Sequence, residues 1–427
     1  MLQGPHGPFF AQLARALTAA GMAVTRVGFN RGDEMFWPDR ARYIPFRGRP
    51  EDWPSTVARL IETRGITDLV LYGDTRPVHA QAVAAARARG VQVHVFEEGY
   101  LRPYWISYER GGANGHSALM QMDLPTILAA ARALPETDPT PASAAATGPG
   151  ADPPAPAVWG DMRQHVFWGA LYHFLVMVAN RPYRNFRPHR DIPVSAEFRL
   201  YLRRLALMPA HALERRLAER RIRAEGLRFH LVLLQLEHDA SFRSHSPFAS
   251  MRDFIALCIA GFAEGAPRDH HLVFKAHPLE DDRAALPRAI RAEAARHGLS
   301  ARVHFVRGGK LAEMLDRTES VVTVNSTAGQ QALWRGLALR IFGRAVYDKP
   351  GLVSQQPLPA FFAAPARPQI AACRAYRRFL LASSQVRGGF YSRAGRRAAI
   401  ARLVPMMLAA EDPYDGVLTP HPRRESA

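Results

Sequence analysis

Short runs of apolar residues alternate with amphipathic stretches along the first part of the chain. The runs that predict strands are AVTRVGF (23–29), DLVLYGD (68–74) and VQVHVFEEG (91–99). The stretches with helical spacing of apolar residues are 9–20, 56–65 and 78–90, and each ends at or before a glycine. Because strands and helices alternate in this order, the pattern predicts a parallel α/β sheet.

The same alternation returns in the second half of the chain. Strands are predicted at 229–237, 271–278, 301–306, 320–326 and 339–343, and helices at 250–265, 310–318 and 327–336. The two halves have similar architecture without a short-period repeat. The predicted fold class is therefore α/β, with two Rossmann-like domains.

The region between the halves differs in composition. Residues 135–157 (PETDPTPASAAATGPGADPPAPA) contain almost no large apolar side chain, which predicts an unpacked linker or surface loop. The apolar run 166–180 is too short to span a bilayer and is followed by the basic, aromatic RPYRNFRPHR (181–190). It fits either a core helix or a helix at a membrane interface. A further basic helix, broken near Pro209, is predicted at 197–224.

The composition of the chain limits the classes of binding partner and the cellular compartment to be expected. The 427 residues carry a formal net charge of +18, which favours anionic partners: nucleic acid, an anionic membrane surface or phosphorylated substrates. Two cysteines, Cys258 and Cys373, cannot form a disulfide framework, which suggests a reducing compartment. The sequence shows neither a signal peptide nor an uninterrupted apolar run long enough to cross a membrane.

Polar residues and glycines gather where the predicted strands end. Ligands of open α/β sheets bind beyond the carboxyl ends of strands, and two facing sheets would pool these residues in one cleft. The candidate binding residues are Gln3, Gly4, Gly7, Glu97, Glu98, Gln235, Asp239, Lys275, His277, Pro278, Asn325, Ser326 and Thr327.

Each candidate group has a chemical interpretation and a structural alternative. The GPHGP turn (4–8) offers backbone N–H groups to an anion, or is only a turn. Glu97 and Glu98 point to opposite faces of a strand, so one can serve as base or nucleophile, unless the pair is a cap or solvated. Alternation places Gln235, Glu237 and Asp239 on one side if the strand continues, whereas a polar loop with a capping aspartate is the alternative.

The second half offers candidate phosphate ligands. Pro278 fixes His277 in an extended position, where it and Lys275 could bind phosphate, although His277 also fits a structural histidine. Asn325, Ser326 and Thr327 precede a predicted helix, whose N-terminus suits a phosphate and whose capping explains one of them.

Several common site motifs are missing from the sequence. GxGxxG, the P-loop motif, HExxH and GxSxG do not occur, so we expect neither a dinucleotide site nor a metal site, and a serine hydrolase is disfavoured.

Six motifs together resemble the capsule polysaccharide synthesis and export family of KpsS type. They are QGPHGPFF, FEEGYLRPYWISYERGGANGHS, LQLEHDASFRSHS, KAHPLE, VNSTAGQQAL and AVYDKPGL, and they span residues 1–352. The resemblance implies a GT-B-like fold and a β-Kdo glycosyltransferase that uses CMP-Kdo as donor, with no other cofactor. Its acceptor would be a phosphatidylglycerol-type lipid at the inner leaflet, on which it starts the poly-Kdo linker of the capsule.

The resemblance also assigns roles. Related CMP-sugar transferases carry an acidic-acidic-Gly motif and a His-Pro motif, which match Glu97-Glu98-Gly99 and His277-Pro278. By this analogy Lys275, His277, Ser326 and Thr327 bind the CMP phosphate. Asp239 is the nucleophile of a double displacement with retention, and Glu98 is the acid/base.

The implied domains are an N-terminal Rossmann-like domain and a C-terminal Rossmann-like domain that binds the nucleotide sugar. The predicted segments are 1–130 (N-terminal domain), 131–160 (linker), 161–225 (basic helices with a membrane-facing option), 226–345 (C-terminal domain) and 346–427 (helical). Family members usually have an apolar strand before QGP, so with the start at Met1-Leu2 we expect a truncated first strand and a weaker central sheet.

The expected location is cytoplasmic, peripheral at the inner face of the inner membrane, with other capsule synthesis and export proteins as partners. A non-catalytic export or assembly factor is the alternative function. Nucleic-acid binding rests on charge alone, without a recognition motif, and is not expected.

Overall fold

The computed structural model describes residues 1–101, 104–134, 161–187, 194–278, 280 and 283–419, so most of the predicted linker 131–160 lies outside the described residues. The strands are β1 (Arg26–Gly28), β2 (Tyr43–Pro45), β3 (Asp68–Tyr72), β4 (Gln92–Glu98), β5 (Trp105–Arg110), β6 (Arg228–Leu233), β7 (His270–Lys275), β8 (Val303–Val306), β9 (Ser320–Thr323), β10 (Ala338–Ile341) and β11 (Gln385–Arg387).

The helices alternate with these strands along the chain. They are α1 (Phe9–Ala19), α2 (Arg31–Met35), α3 (Trp53–Thr63), α4 (Pro77–Arg87), α5 (Leu124–Arg132), α6 (Asp161–Ala179), α7 (Val194–Ala224), α8 (Ala240–His245), α9 (Met251–Gly265), α10 (Leu286–Arg296), α11 (Leu311–Leu315), α12 (Gln330–Leu333), α13 (Leu358–Ala363), α14 (Ile370–Ala382), α15 (Arg393–Leu408) and α16 (Asp415–Leu418).

The chain forms two compact units. Unit 1 contains 1–121, 129–195 and 378–427, and unit 2 contains 122–128 and 196–377. This division differs from the predicted segments, because α6 belongs to unit 1, α7 belongs to unit 2, and the end of the chain returns to unit 1. The prediction of two α/β domains is confirmed.

Unit 2 is built on a five-stranded, wholly parallel sheet in the order β10-β9-β6-β7-β8. Read from β8, and counting from β6 as strand one, this is the 3-2-1-4-5 order of doubly wound folds. Strands are added on one side of β6 up to β8 and on its other side from β9, so the strand order reverses between β6 and β9. Such folds bind ligands at this switch point. Helices α9, α10 and α13 form one buried cluster with one face of the sheet. Leu231, Val273 and Val321 on the other face are also buried, as the continuous apolar runs of such strands require.

Unit 1 has a comparable sheet whose central position is held by residues 1–3. Leu2 N–H donates to Val70 O at 2.8 Å, and Val27 N–H donates to Met1 O at 2.9 Å. Residues 1–3 therefore connect the β1-β2 pair to the sheet β11-β5-β4-β3. These are the residues expected to form a truncated first strand.

The sheet of unit 1 is mixed, in contrast to the prediction of a parallel sheet. β5 runs antiparallel to β4, and β11 runs antiparallel to β5. The segment 346–427, predicted to be helical, therefore includes a strand, because β11 completes the edge of this sheet.

Three local predictions were wrong. Helix α7 continues through Pro209. The proline removes only one backbone hydrogen bond, and the strong helix formers on either side keep the helix intact. The helix predicted at 327–336 is a turn of 3-10 helix followed by the four-residue α12. The strand predicted at 229–237 ends at Leu233, where β6 loses its neighbours in the sheet.

Candidate functional site

Three neighbouring strands of unit 2 bring most of the predicted donor-binding residues to one sheet edge. Leu233 at the end of β6 is in register with Lys275 of β7 on one side and with Thr323 of β9 on the other. Since the strands are parallel, the segments 235–239, 275–278 and 325–327 all leave the sheet at its carboxyl edge. This edge includes the switch point between β6 and β9.

Gln235 and Asn325 join the two strand ends at the switch point. The amide of Gln235 donates to Asn325 Oδ1 at 2.8 Å, and its oxygen accepts from the Asn325 backbone N–H at 3.0 Å. Both side chains are buried. The pair fixes the chain just before Ser326 and positions this edge of the sheet.

Ser326 and Thr327 lie half-buried in the turn after β9. The Ser326 hydroxyl accepts from the Ala328 N–H at 3.2 Å, which is the capping role weighed as the alternative for this motif. The Tyr347 hydroxyl donates to the Ser326 carbonyl. Two hydrogen bonds therefore fix the turn at Ser326, one to its hydroxyl and one to its carbonyl. The half-buried Thr327 is the next residue in this turn.

Lys275 is buried at the end of β7 and its ammonium donates to the carbonyls of Gly308 and Gly309. Burial lowers the pKa of Lys275 to about 8, against the opposing effect of Glu219. His277 is half-buried two residues on, and Pro278 is exposed. The carboxyl end of β7 thus holds a buried lysine two residues before a half-buried histidine.

Asp239 is exposed at the start of α8. Its side chain makes no capping hydrogen bond with the helix that it precedes. Because β6 ends at Leu233, the predicted alternation of Gln235, Glu237 and Asp239 on one side does not apply. Glu237 instead accepts from the Met251 N–H at 3.2 Å, at the start of α9.

Glu97 and Glu98 end β4 in unit 1, and both are half-buried. The Glu98 carboxylate accepts from the Tyr391 hydroxyl at 3.2 Å and from Tyr72 at 3.5 Å. The Glu97 carboxylate accepts from the Glu98 N–H at 3.2 Å. Burial raises the pKa of Tyr391 well above its usual value, so its hydroxyl stays a donor to Glu98.

The predicted GPHGP turn (4–8) lies under helix α6 in unit 1. Gly7 has φ +114°, a left-handed conformation, and a Cβ built on it would lie 3.1 Å from the Trp168 ring. The His6 ring stacks on Tyr172 with 4.3 Å between centroids. Gly4 is buried, and a Cβ there would meet the Phe10 ring. The turn thus requires its glycines for close packing.

Gln3 takes part in a buried polar cluster beneath α6. Its amide donates to Asp33 at 3.0 Å and to the Tyr172 hydroxyl at 3.3 Å. Asp33 also pairs with Arg26 at 3.3 Å, with both side chains buried. The cluster connects α6 to the central position of the unit 1 sheet.

Within the described residues, no group of three or more His, Cys, Asp and Glu side chains could hold a metal ion. A search of the same residues finds no helix with the length and apolar character needed to cross a membrane.

Residues 67–391 match the family described as capsule polysaccharide biosynthesis protein. The chain belongs to this family. It is 30% identical over 398 residues to the capsule polysaccharide export protein KpsS of Escherichia coli, covering 92% of this chain and 96% of that protein. It is 31% identical over 396 residues to the capsule polysaccharide modification protein LipB of Neisseria meningitidis, covering 92% and 91%.

Solved structures related to this capsule family member have low sequence identity. The β-Kdo 2,7 transferase of Thermosulfurimonas dismutans KpsC is 14% identical, with a TM-score of 0.45 and coverage of 95% of this chain and 98% of that one. The β-Kdo 2,4 transferase of the same protein is 13% identical, with a TM-score of 0.39 and coverage of 85% and 90%.

Besides Tyr72, sequence reasoning missed three tyrosines that contact the candidate residues of this capsule protein. Tyr347 contacts Ser326, Tyr391 contacts Glu98, and Tyr172 contacts Gln3. Tyr347 lies in the AVYDKPGL motif, so the resemblance contained a signal for it. The other two are remote in sequence from their partners, and only the fold brings them together.

Proposed function

We propose that this protein transfers Kdo from CMP-Kdo to a phosphatidylglycerol-type lipid and so starts the poly-Kdo linker of a capsule. The observation that carries the proposal is the exposed carboxylate of Asp239 at the switch-point edge of the unit 2 sheet. Membership of the capsule polysaccharide biosynthesis family supports the same function.

The proposed reaction is a double displacement. The Asp239 carboxylate attacks the anomeric carbon of Kdo, and the bond from this carbon to the CMP phosphate breaks, so that CMP leaves with the electron pair. The acceptor hydroxyl then attacks the same carbon, gives its proton to Glu98 and releases Asp239. Two inversions give net retention.

The neighbouring groups are proposed to bind the donor. Lys275 supplies positive charge, His277 and the turn at Ser326 and Thr327 supply donors to the phosphate, and the Gln235–Asn325 pair holds that turn in position. Gln3, Gly4, Gly7 and Glu97 remain proposed substrate-binding residues of unit 1. CMP-Kdo is the donor substrate, and the proposal includes no further cofactor.

We also propose that the protein acts at the inner face of the inner membrane together with other capsule synthesis and export proteins. The names of the E. coli and N. meningitidis relatives, which refer to export and modification of capsule polysaccharide, support this setting. The net charge of +18 favours an anionic surface.

The test is mass spectrometry of a phosphatidylglycerol acceptor incubated with the protein and CMP-Kdo. The wild type is expected to add one Kdo, and Asp239→Asn to lose roughly a thousandfold or more of the rate, because the nucleophile is lost. Glu98→Gln is expected to lose roughly a hundredfold or more.

Asp269→Asn is the matched control, since Asp269 is also an exposed aspartate of unit 2 but precedes β7 at the opposite edge of the sheet. It should transfer Kdo at the wild-type rate. A folded wild type that gives no product would instead favour the non-catalytic export or assembly factor.

A further inference from the structure

Helix α6 has an exposed face that is almost entirely apolar. Phe167 is 57% exposed, Phe174 54% and Val178 57%. Successive exposed positions are mostly three or four residues apart, so they form one stripe along the helix. We call this the outer stripe: Val166, Phe167, Ala170, Phe174, Met177 and Val178.

The opposite face of α6 packs on unit 1. His165 stacks on Tyr391 with 4.2 Å between ring centroids, and Trp168 Nε1 donates to the Tyr391 carbonyl at 3.4 Å. Tyr172 hydrogen-bonds Asn30 at 2.6 Å. Since the inner face already fixes the helix to the protein, the outer stripe is not needed for its packing.

Positive charge adjoins the outer stripe. Residues 162–190 contain no aspartate or glutamate. Arg181, Arg184 and Arg187 follow the helix directly and all three are exposed. An exposed apolar stripe beside arginines, with no acidic residue among them, complements a surface that is apolar inside and anionic outside.

We propose that the outer stripe of α6 lies in the interface of an anionic bilayer, with Arg181, Arg184 and Arg187 at the headgroup phosphates. The helix lies parallel to the surface, because the outer stripe runs along its length while its opposite face packs on unit 1. Burial of the phenylalanines supplies the apolar part of the binding, and the arginines make it depend on anionic lipid.

The placement also connects the bilayer to the candidate acid/base, a step that rests on the proposed function. Tyr391 contacts the inner face of α6 and donates to Glu98 at 3.2 Å. One helix therefore has the bilayer on its outer side and the environment of Glu98 on its inner side. A lipid acceptor would reach Glu98 directly from the membrane on which α6 lies.

Vesicle co-sedimentation tests the binding without any sugar nucleotide. The full-length protein is expected to bind vesicles of phosphatidylglycerol and phosphatidylcholine and to bind pure phosphatidylcholine far more weakly. Arg181→Gln/Arg184→Gln/Arg187→Gln should weaken binding roughly 100-fold, at about fivefold for each arginine. Phe167→Ser/Phe174→Ser should weaken it by at least roughly tenfold.

Matched controls remove the same groups elsewhere. Leu257→Ser/Leu408→Ser removes two other exposed apolar side chains, and Arg59→Gln/Arg291→Gln/Arg317→Gln removes three exposed arginines. Both should bind vesicles nearly as the wild type does, and circular dichroism should show every variant folded. Equal weakening by the controls would overturn the proposal, because net charge or general apolarity would then explain the binding.

Two further outcomes would overturn it. Equal binding to neutral vesicles would remove the role of the arginines. A dimer in solution that Phe167→Ser/Phe174→Ser dissociates would make the outer stripe an interface between copies of this chain.

The connection to Glu98 has its own readout. The ratio of Kdo transfer to vesicle-embedded over short-chain, water-soluble phosphatidylglycerol should fall in Phe167→Ser/Phe174→Ser, and an unchanged ratio would contradict the connection. Vesicle binding by a wild type that transfers no Kdo to either acceptor would refute the proposed function and leave the bilayer surface standing.

Discussion

The carboxyl group of Glu109 lies fully buried in unit 1. Hydroxyls of Tyr100, Ser117 and Tyr414 all donate to it. Burial raises the pKa of Glu109 from the usual 4.5 to about 7, although the three hydroxyls oppose the shift. Glu109 therefore changes its charge close to neutral pH.

This shift predicts a pH dependence of stability. The unfolded chain loses the Glu109 proton near pH 4.5, whereas the folded protein holds it to about pH 7. The resulting stabilisation is complete below the unfolded pKa and is lost as the pH rises through the folded pKa, a change of about 3 kcal/mol. The free energy of unfolding of the wild type should therefore fall relative to that of Glu109→Gln between pH 4.5 and 7.

Urea unfolding at several pH values measures this difference. Glu264→Gln, which removes an exposed carboxylate, is the reference for a surface change. A difference between the wild type and Glu109→Gln that is independent of pH would contradict a raised pKa for Glu109.

The burial of Glu109 in β5 could not be predicted from the sequence. Within WISYER, Ser107 and Glu109 alternate with Ile106 and Tyr108, a pattern typical of a strand with one polar, solvated face. All four are buried, because polar side chains cover the second face. Tyr100 and Ser117 lie nearby in the chain, whereas Gln385 and Tyr414 come from remote parts of it. The alternation indicates a strand but not these partners, so the burial of the Glu109 carboxylate could not be predicted from it.

At the scale of elements, the sequence predicted the apolar strands well. Several strands begin within one residue of the predicted start, namely β3, β4, β6, β7 and β9. Apolar runs between glycines and polar residues are a distinctive pattern. The short β2 and β11 were missed, since three residues carry little pattern. Strand order was not predictable from periodicity, and strand order is what brings the candidate donor-binding segments to one edge.

The Gln235–Asn325 pair provides a prediction at this scale. Gln235→Ala removes both hydrogen bonds of the pair, whereas Asn325→Ala removes only the one accepted by Oδ1, because the backbone N–H of residue 325 stays. Each variant takes a partner from a buried polar group, at a cost of about 1–3 kcal/mol. Since both changes remove the bond from the Gln235 amide to Asn325 Oδ1, the double variant should cost less than the sum of the single variants by about 1–2 kcal/mol.

A double-mutant cycle by chemical unfolding measures this coupling. Gln355→Ala combined with Asn325→Ala is the control pair, because Gln355 is exposed and bonds the Val353 carbonyl instead. Additive effects of the Gln235 and Asn325 variants would show that the pair does not hold the two strand ends together.

At the scale of the whole molecule, unit 1 is assembled from distant parts of the chain. Gln385 accepts from the Tyr100 N–H at 2.8 Å and donates to the Ser107 hydroxyl at 2.8 Å. The guanidinium of Arg110 donates to three carbonyls at and beyond the end of α15. The sequence alone predicts a separate helical segment at the C-terminus, because no local pattern indicates that residues 378–427 pack back onto unit 1.

This return predicts that unit 1 needs its C-terminal segment to fold. A chain that ends at Arg377 lacks β11 and α15, whose Ala399, Leu403 and Met407 belong to the same buried cluster as α1. Loss of these contacts exposes the core around α1 and leaves the Tyr100 and Ser107 groups without Gln385. The stabilisation lost with this much buried apolar surface exceeds the roughly 5–15 kcal/mol by which a protein is stable, so unit 1 should not fold.

Hydrogen exchange measures this loss. The shorter chain should show rapid exchange over β3, β4 and β5 and continued protection of β6, β7 and β9. A chain that ends at Thr419 keeps every contact named here and should exchange like the full-length protein. Protection of β4 in the shorter chain would mean that unit 1 folds without its last strand.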